Sequence, residues 1–131
     1  MTIADPRLLR PPAVLGRIAG LTLLHWGVLD SPHGLSLVVE VVDEDNTGAL
    51  QTGPWKDPQT DNLSIHATTG DADPIYPKTM ARFTGPAWQR WMITFDRYDR
   101  PARVNASTAT LTITLRPLDL DVVIDLTDAA R

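Results

Sequence analysis

The chain has 131 residues, 43% of them hydrophobic, which suits one domain that buries a two-layer core without metal or disulfide staples. It contains no cysteine, so disulfide scaffolding, thiol catalysis and thiolate metal sites are excluded. A formal charge of −4 opposes general nucleic-acid binding, which needs a basic face, and no uninterrupted apolar run reaches the roughly 18 residues of a membrane span. The carboxylates are nearly all aspartate, with only Glu40 and Glu44 as glutamate, and threonine and proline are frequent. That is the chemistry of strands and turns rather than of helices.

Residues 1–17 carry Arg7, Arg10 and Arg17, but Pro6, Pro11, Pro12 and Gly16 interrupt the apolar residues, so no signal-peptide core forms. This segment reads as a cytoplasmic leader ahead of a single domain at 18–131. From Ile18 to Leu29 the apolar set shifts from Leu21 and Leu23 to Leu24, Trp26 and Val28, which predicts a strand with a β-bulge near Leu23. Asp30-Ser31-Pro32-His33-Gly34 is a turn signal and makes a hairpin with the next strand. There Leu35, Leu37, Val39 and Val41 form one apolar face, while Val38 and Val42 make the other face partly apolar.

A long polar connection runs from Asp43 to Asp61, of a kind that either crosses between sheets or carries function. Leu63, Ile65 and Ala67 then alternate with Ser64 and His66, and 70–77 forms another loop. Further strands are predicted around Thr79, Ala81 and Phe83; around Trp91, Ile93 and Phe95; over 109–115, where leucine and isoleucine interleave with Thr110, Thr112 and Thr114; and around Val122, Ile124 and Leu126. About seven short strands without helical periodicity point to an all-β, two-layer antiparallel sandwich with Greek-key connections. A β-barrel is the alternative, but the long middle connections fit sheet-to-sheet crossings better than tight barrel turns.

Few residues stand in a pattern that carries chemistry. Asp43, Asp45 and Gly48 begin like a calcium loop, yet the closing acidic position falls on Pro54. Asp119, Asp121, Asp125 and Asp128 form an acidic stripe that either binds a cation weakly or protects a strand edge, with Arg116 as a partner. His25, His33 and His66 lack the spacing of a zinc site, and nucleophile-elbow, phosphate-loop and dinucleotide signatures are missing. No spacing selects a catalytic carboxylate pair, so no enzyme, metal or cofactor is expected.

Four tryptophans carry more information. Trp26 and Trp91 read as core, whereas Trp55 and Trp88 sit in Gly-Pro loops, where an indole caps a core or stacks on a sugar with Asp57 or Asp61 as polar partners. Arg90, Arg97, Arg100 and Arg103 cluster around Tyr98 in a basic, aromatic segment that either touches an acidic partner or is a solvated hairpin loop balanced by Asp96 and Asp99. Val38, Val42, Met92 and Val123 fall on strand faces opposite the core and predict a patch that a partner would cover.

The hairpin, the long Asp-rich connection into Asp61-Asn62-Leu63-Ser64-Ile65, the Phe83-Thr84-Gly85-Pro86 strand entry and the final Val122-Val123-Ile124-Asp125-Leu126 together resemble uncharacterised immunoglobulin-like sandwich domains of actinobacterial proteins, over roughly Ala19 to Asp128. The resemblance implies a bacterial β-sandwich and supplies no catalytic residues. The expected function is therefore a non-catalytic, cytoplasmic protein-interaction or structural module, self-associating or a subunit of a larger assembly. The possible interaction residues are Val38, Val42, Trp55, Trp88, Met92 and Val123. A carbohydrate-binding module using the loop tryptophans is the alternative.

Overall fold

The computed structural model describes residues 7–31, 34–56, 62–69, 73–96 and 109–127. Nine strands occupy most of them: β1 (Arg7–Arg10), β2 (Ala13–Ile18), β3 (Leu21–Ser31), β4 (Gly34–Asp43), β5 (Leu63–Thr69), β6 (Thr79–Gly85), β7 (Trp88–Asp96), β8 (Ala109–Leu115) and β9 (Leu120–Asp125). Among the described residues there is no α-helix, and none long and apolar enough to cross a membrane.

Two antiparallel sheets form, and neither closes into a barrel. The larger has the order β1-β3-β4-β7-β6 with β2 also on β3, and the smaller is β5-β8-β9. Without β1 and β2, the orders β3-β4-β7-β6 and β5-β8-β9 are those of a constant-type immunoglobulin sandwich. β1 and β2 both pair with β3, so they act as one extra edge strand broken at Pro11-Pro12. The segment expected as a leader thus contributes two strands to the larger sheet. Proline is tolerated there because it falls between two edge strands, where no ladder bond is lost.

The core follows from alternation. Leu35, Leu37, Val39 and Val41 of β4 meet Leu111, Ile113 and Leu115 of β8 between the layers, all nearly inaccessible to solvent. The described part of the long connection, 43–56, also contributes to the core. Its two short 3-10 turns, Ala49–Gln51 and Gly53–Trp55, bury Leu50 and Trp55 in the core. The Trp55 carbonyl accepts from Arg82 Nη2 at 2.8 Å and from Gln89 Nε2 at 2.5 Å, and Arg82 Nη2 also donates to Gln89 Oε1 at 3.0 Å. This part of the connection is a core plug tied to the sheet, not a free loop. At the opposite side of the sandwich, the Arg10 guanidinium donates twice to the Asp125 carbonyl, at 3.0 and 2.8 Å, and ties β1 to β9.

The bulge in β3 lies further along than the apolar shift predicted. The β3–β4 register is continuous from Leu21↔Asp43 to His25↔Val39 and resumes at Val28↔Leu37. The extra residue is accommodated at Trp26-Gly27, where Gly27 adopts a φ of 110°, a conformation open to glycine and strained for other residues. His25 and Val28 both turn inward as a result. Trp26, expected in the core, points outward.

Candidate functional site: the outer face of the larger sheet

The outer face of the larger sheet carries apolar side chains in each of four rows, interleaved with Ser, Thr and the charged Arg17, Glu40 and Arg90, and the register aligns these rows across the strands. One row runs Leu8, Leu29, Ser36, Thr94 and Thr79; the next carries Val38, Met92 and Ala81, with Trp26 beside them; a third runs Val14, Leu24, Glu40, Arg90 and Phe83; the last carries Arg17, Thr22, Val42, Trp88 and Gly85. Several of these side chains are large and open to solvent: Trp26 is 47% exposed, Met92 51%, and Leu8, Val14 and Phe83 comparably so. Lone exposed apolar residues are ordinary, but a contiguous set across five strands is not.

The bulge shapes this face. By turning Trp26 outward it opens a groove of about 320 Å³, lined among others by Trp26, Leu29, Val38, Met92 and Thr94. Beside the groove the Arg90 guanidinium lies between two indoles, 4.2 Å from the Trp26 ring centroid and 4.5 Å from that of Trp88. Its Nε and Nη2 both donate to Glu40 Oε1 at 2.7 Å, from the directly opposed position on β4. The face therefore holds a stacked cation whose counter-charge is already present.

Of the residues singled out from sequence, Val38, Val42, Met92 and Trp88 come together on this face. Val123 does not: it is 59% exposed on the outer face of the smaller sheet, beside Thr112. Trp55, proposed as a loop aromatic, is 6% exposed and belongs to the core, and one face of Trp88 is covered by Arg90. Trp55 is therefore no stacking platform for a sugar, while Trp88 has one face taken by Arg90; Asp57 and Asp61, suggested as partners for a sugar, lie outside the described residues.

The polar candidates serve local structure. Asp43 accepts from the Thr47 N–H at 3.0 Å, the Thr47 hydroxyl at 3.1 Å and the Gly48 N–H at 2.9 Å, which closes the turn after β4. These bonds, the Thr47 amide foremost, hold its carboxyl below the usual carboxylate range. Asp121 accepts from the Thr114 hydroxyl, and Asp125 from the Thr127 hydroxyl and N–H, which lower its pKa likewise. His25 is buried under the larger sheet, and burial lowers its pKa. His66 lies on the outer side of the smaller sheet, its ring 6.2 Å from that of Tyr76. No three His, Asp or Glu side chains converge among the described residues, while His33, Asp128 and the segment from Arg97 to Arg103 lie outside them.

Leu8, Val14, Leu29, Phe83 and the Glu40–Arg90 pair complete the face and were not anticipated. The signal for the pair was the two opposite charges set amid apolar strand residues, a cost that a cross-strand partner relieves. No protein-family model, curated protein or solved structure matches this chain.

Proposed function

We propose that this chain is a non-catalytic protein-interaction module, a subunit of a larger assembly, that docks through the outer face of its larger sheet. The supporting observation is the contiguous apolar face whose central charges, Glu40 and Arg90, are already paired with each other. Such a face asks for no counter-charge, so the partner it fits is a protein surface that is apolar and weakly charged. Five strands about 4.8 Å apart and four rows about 6.8 Å apart span roughly 650 Å², near the ~800 Å² per partner of a standard interface. Trp26 and Met92, large and exposed beside the groove, are of the residue types enriched at interface cores. A cysteine-free chain needs no oxidising compartment, and we place it in the cytoplasm as part of the same reading.

The test compares affinity capture from extracts of the native cells by the wild type, Met92→Glu and Val123→Glu. A protein retained by the wild type and Val123→Glu but lost with Met92→Glu supports docking through this face. Retention by all three, or by none, overturns it.

A further inference from the structure

The outer face of the larger sheet carries no net charge at its centre, because Glu40 and Arg90 oppose each other on β4 and β7, and Arg90 Nε and Nη2 both donate to Glu40 Oε1. A surface can meet an identical surface only where like charges do not coincide. Two central rows decide whether this one can. In the strand order β3, β4, β7, β6, one row reads Trp26, Val38, Met92, Ala81 and the next reads Leu24, Glu40, Arg90, Phe83.

Two such faces laid together as aligned sheets are related by a two-fold axis in the plane of contact. An axis along β4 sets Glu40 on Glu40, and one along β7 sets Arg90 on Arg90. An axis across the strands, between the two rows, sets each charge on an apolar side chain, Glu40 on Val38 and Arg90 on Met92. An axis parallel to the strands and midway between β4 and β7 avoids all three faults. Glu40 of each copy then meets Arg90 of the other, Val38 meets Met92, Trp26 meets Ala81 and Leu24 meets Phe83.

Size agrees with charge in this arrangement. Met92, 51% exposed, stands over Val38, one of the residues lining the groove of about 320 Å³, and an unbranched methionine adapts readily to such a space. Trp26, 47% exposed, stands over Ala81, a small and exposed residue of β6. The roughly 30° between aligned sheets shifts positions in these two rows by less than half a strand spacing, so the four pairings survive the twist.

We propose, on the reading that this face docks a protein, that its occupant is a second copy of the chain, held face to face about the axis between β4 and β7. Four strands by four rows overlap, roughly 520 Å² per copy and about 1,000 Å² in all, which reaches the lower bound of a specific interface and fits a reversible dimer. β1 and β2 lie outside the overlap. The contact is the same patch on both copies, so it closes at two and leaves no free face to propagate.

Light scattering on the eluting full chain over a concentration series tests it. The wild type is expected at twice the chain mass, dissociating on dilution, and Val123→Glu behaves in the same way. Met92→Glu puts a carboxylate into the groove of the other copy, and Ala81→Trp, at an exposed position that the fold does not depend on, sets one indole against another. Each is expected at the single-chain mass, with a wild-type circular dichroism spectrum and at least about tenfold weaker association. A wild type that stays monomeric throughout overturns the second copy as occupant, whereas a different protein captured through Met92 would still uphold docking on the face. A dimer that survives both changes, or is lost with Val123→Glu alone, lies elsewhere on the molecule and also overturns the proposal.

Discussion

The His25 imidazole accepts the Gly27 N–H through Nδ1 at 3.0 Å, and this bond joins the two sides of the bulge that turns Trp26 outward. Nδ1 can accept only while unprotonated, and burial already holds the His25 pKa below its ordinary 6.5. The unfolded chain thus takes up a proton before the folded one. Nothing is lost above about pH 6.5, and stability falls as pH drops below it, until the folded pKa is passed. His25→Leu is expected to flatten that branch of a urea midpoint against pH profile. It leaves the buried Gly27 N–H without its acceptor, at a cost of about 1–3 kcal/mol at neutral pH. An unchanged acid branch in this variant would show that His25 does not control it.

Gly27 is the second half of the same device. A Cβ built there would stand 3.1 Å from Leu8 Cδ1 and 3.3 Å from the Arg10 carbonyl oxygen, and φ is already 110°. Leu8 can give way, but the backbone oxygen cannot do so cheaply. Gly27→Ala is expected to destabilise the fold by about 1–3 kcal/mol and to change tryptophan emission as Trp26 moves. Urea unfolding followed by fluorescence reads both, and a variant as stable as the wild type would mean that the bulge relaxes at no cost.

These two residues also mark where the sequence stopped being readable. β4 and β8 were plain because polar and apolar residues alternate, and one parity is buried. β3 is apolar on both faces, so a one-residue shift at Leu23-Leu24 looks like the shift at Trp26-Gly27; only the glycine distinguishes them. Parity placed Val38, Val42 and Met92 on an outer face correctly. It could not say which sheet, and Val123 went to the other one. For Trp55 the sequence left a cap on the core and a sugar platform open, because local composition reports only the solvated turns around it; its burial in the core selects the cap.

Asp43 is expected to govern stability in stronger acid. Its pKa lies below the ordinary 3.8, so the fold favours the carboxylate. The contribution is complete above that ordinary value and drains away as pH falls through the lowered folded one. Asp43→Ala should lower the thermal midpoint by several degrees at neutral pH, because the Thr47 and Gly48 N–H groups lose their acceptor, and the deficit should shrink below about pH 4 as the wild-type carboxylate protonates. Calorimetry across that range checks the sign: a deficit that grows in acid would assign the acid sensitivity elsewhere, Asp125 being next in line.

Glu40 and Arg90 provide the sharpest test of the outer face. The Glu40 side chain is 10% exposed and that of Arg90 29%, so removing the arginine strands a carboxylate in a largely dry place. Arg90→Ala is expected to cost about 2 kcal/mol, below the 3–5 of a fully buried pair because solvent still reaches the guanidinium. Arg90→Lys keeps the charge but loses the planar stack between Trp26 and Trp88, worth about 0.5–1 kcal/mol per ring. Glu40→Gln combined with Arg90→Met removes both charges and keeps apolar bulk between the indoles, so it should be milder than Arg90→Ala alone. A double-mutant cycle by urea denaturation decides it. If the double variant is less stable than the wild type, the charges contribute to the fold itself; if it is more stable than the wild type, the pair is retained at a cost, which is the sign expected where a face is kept for docking rather than for stability.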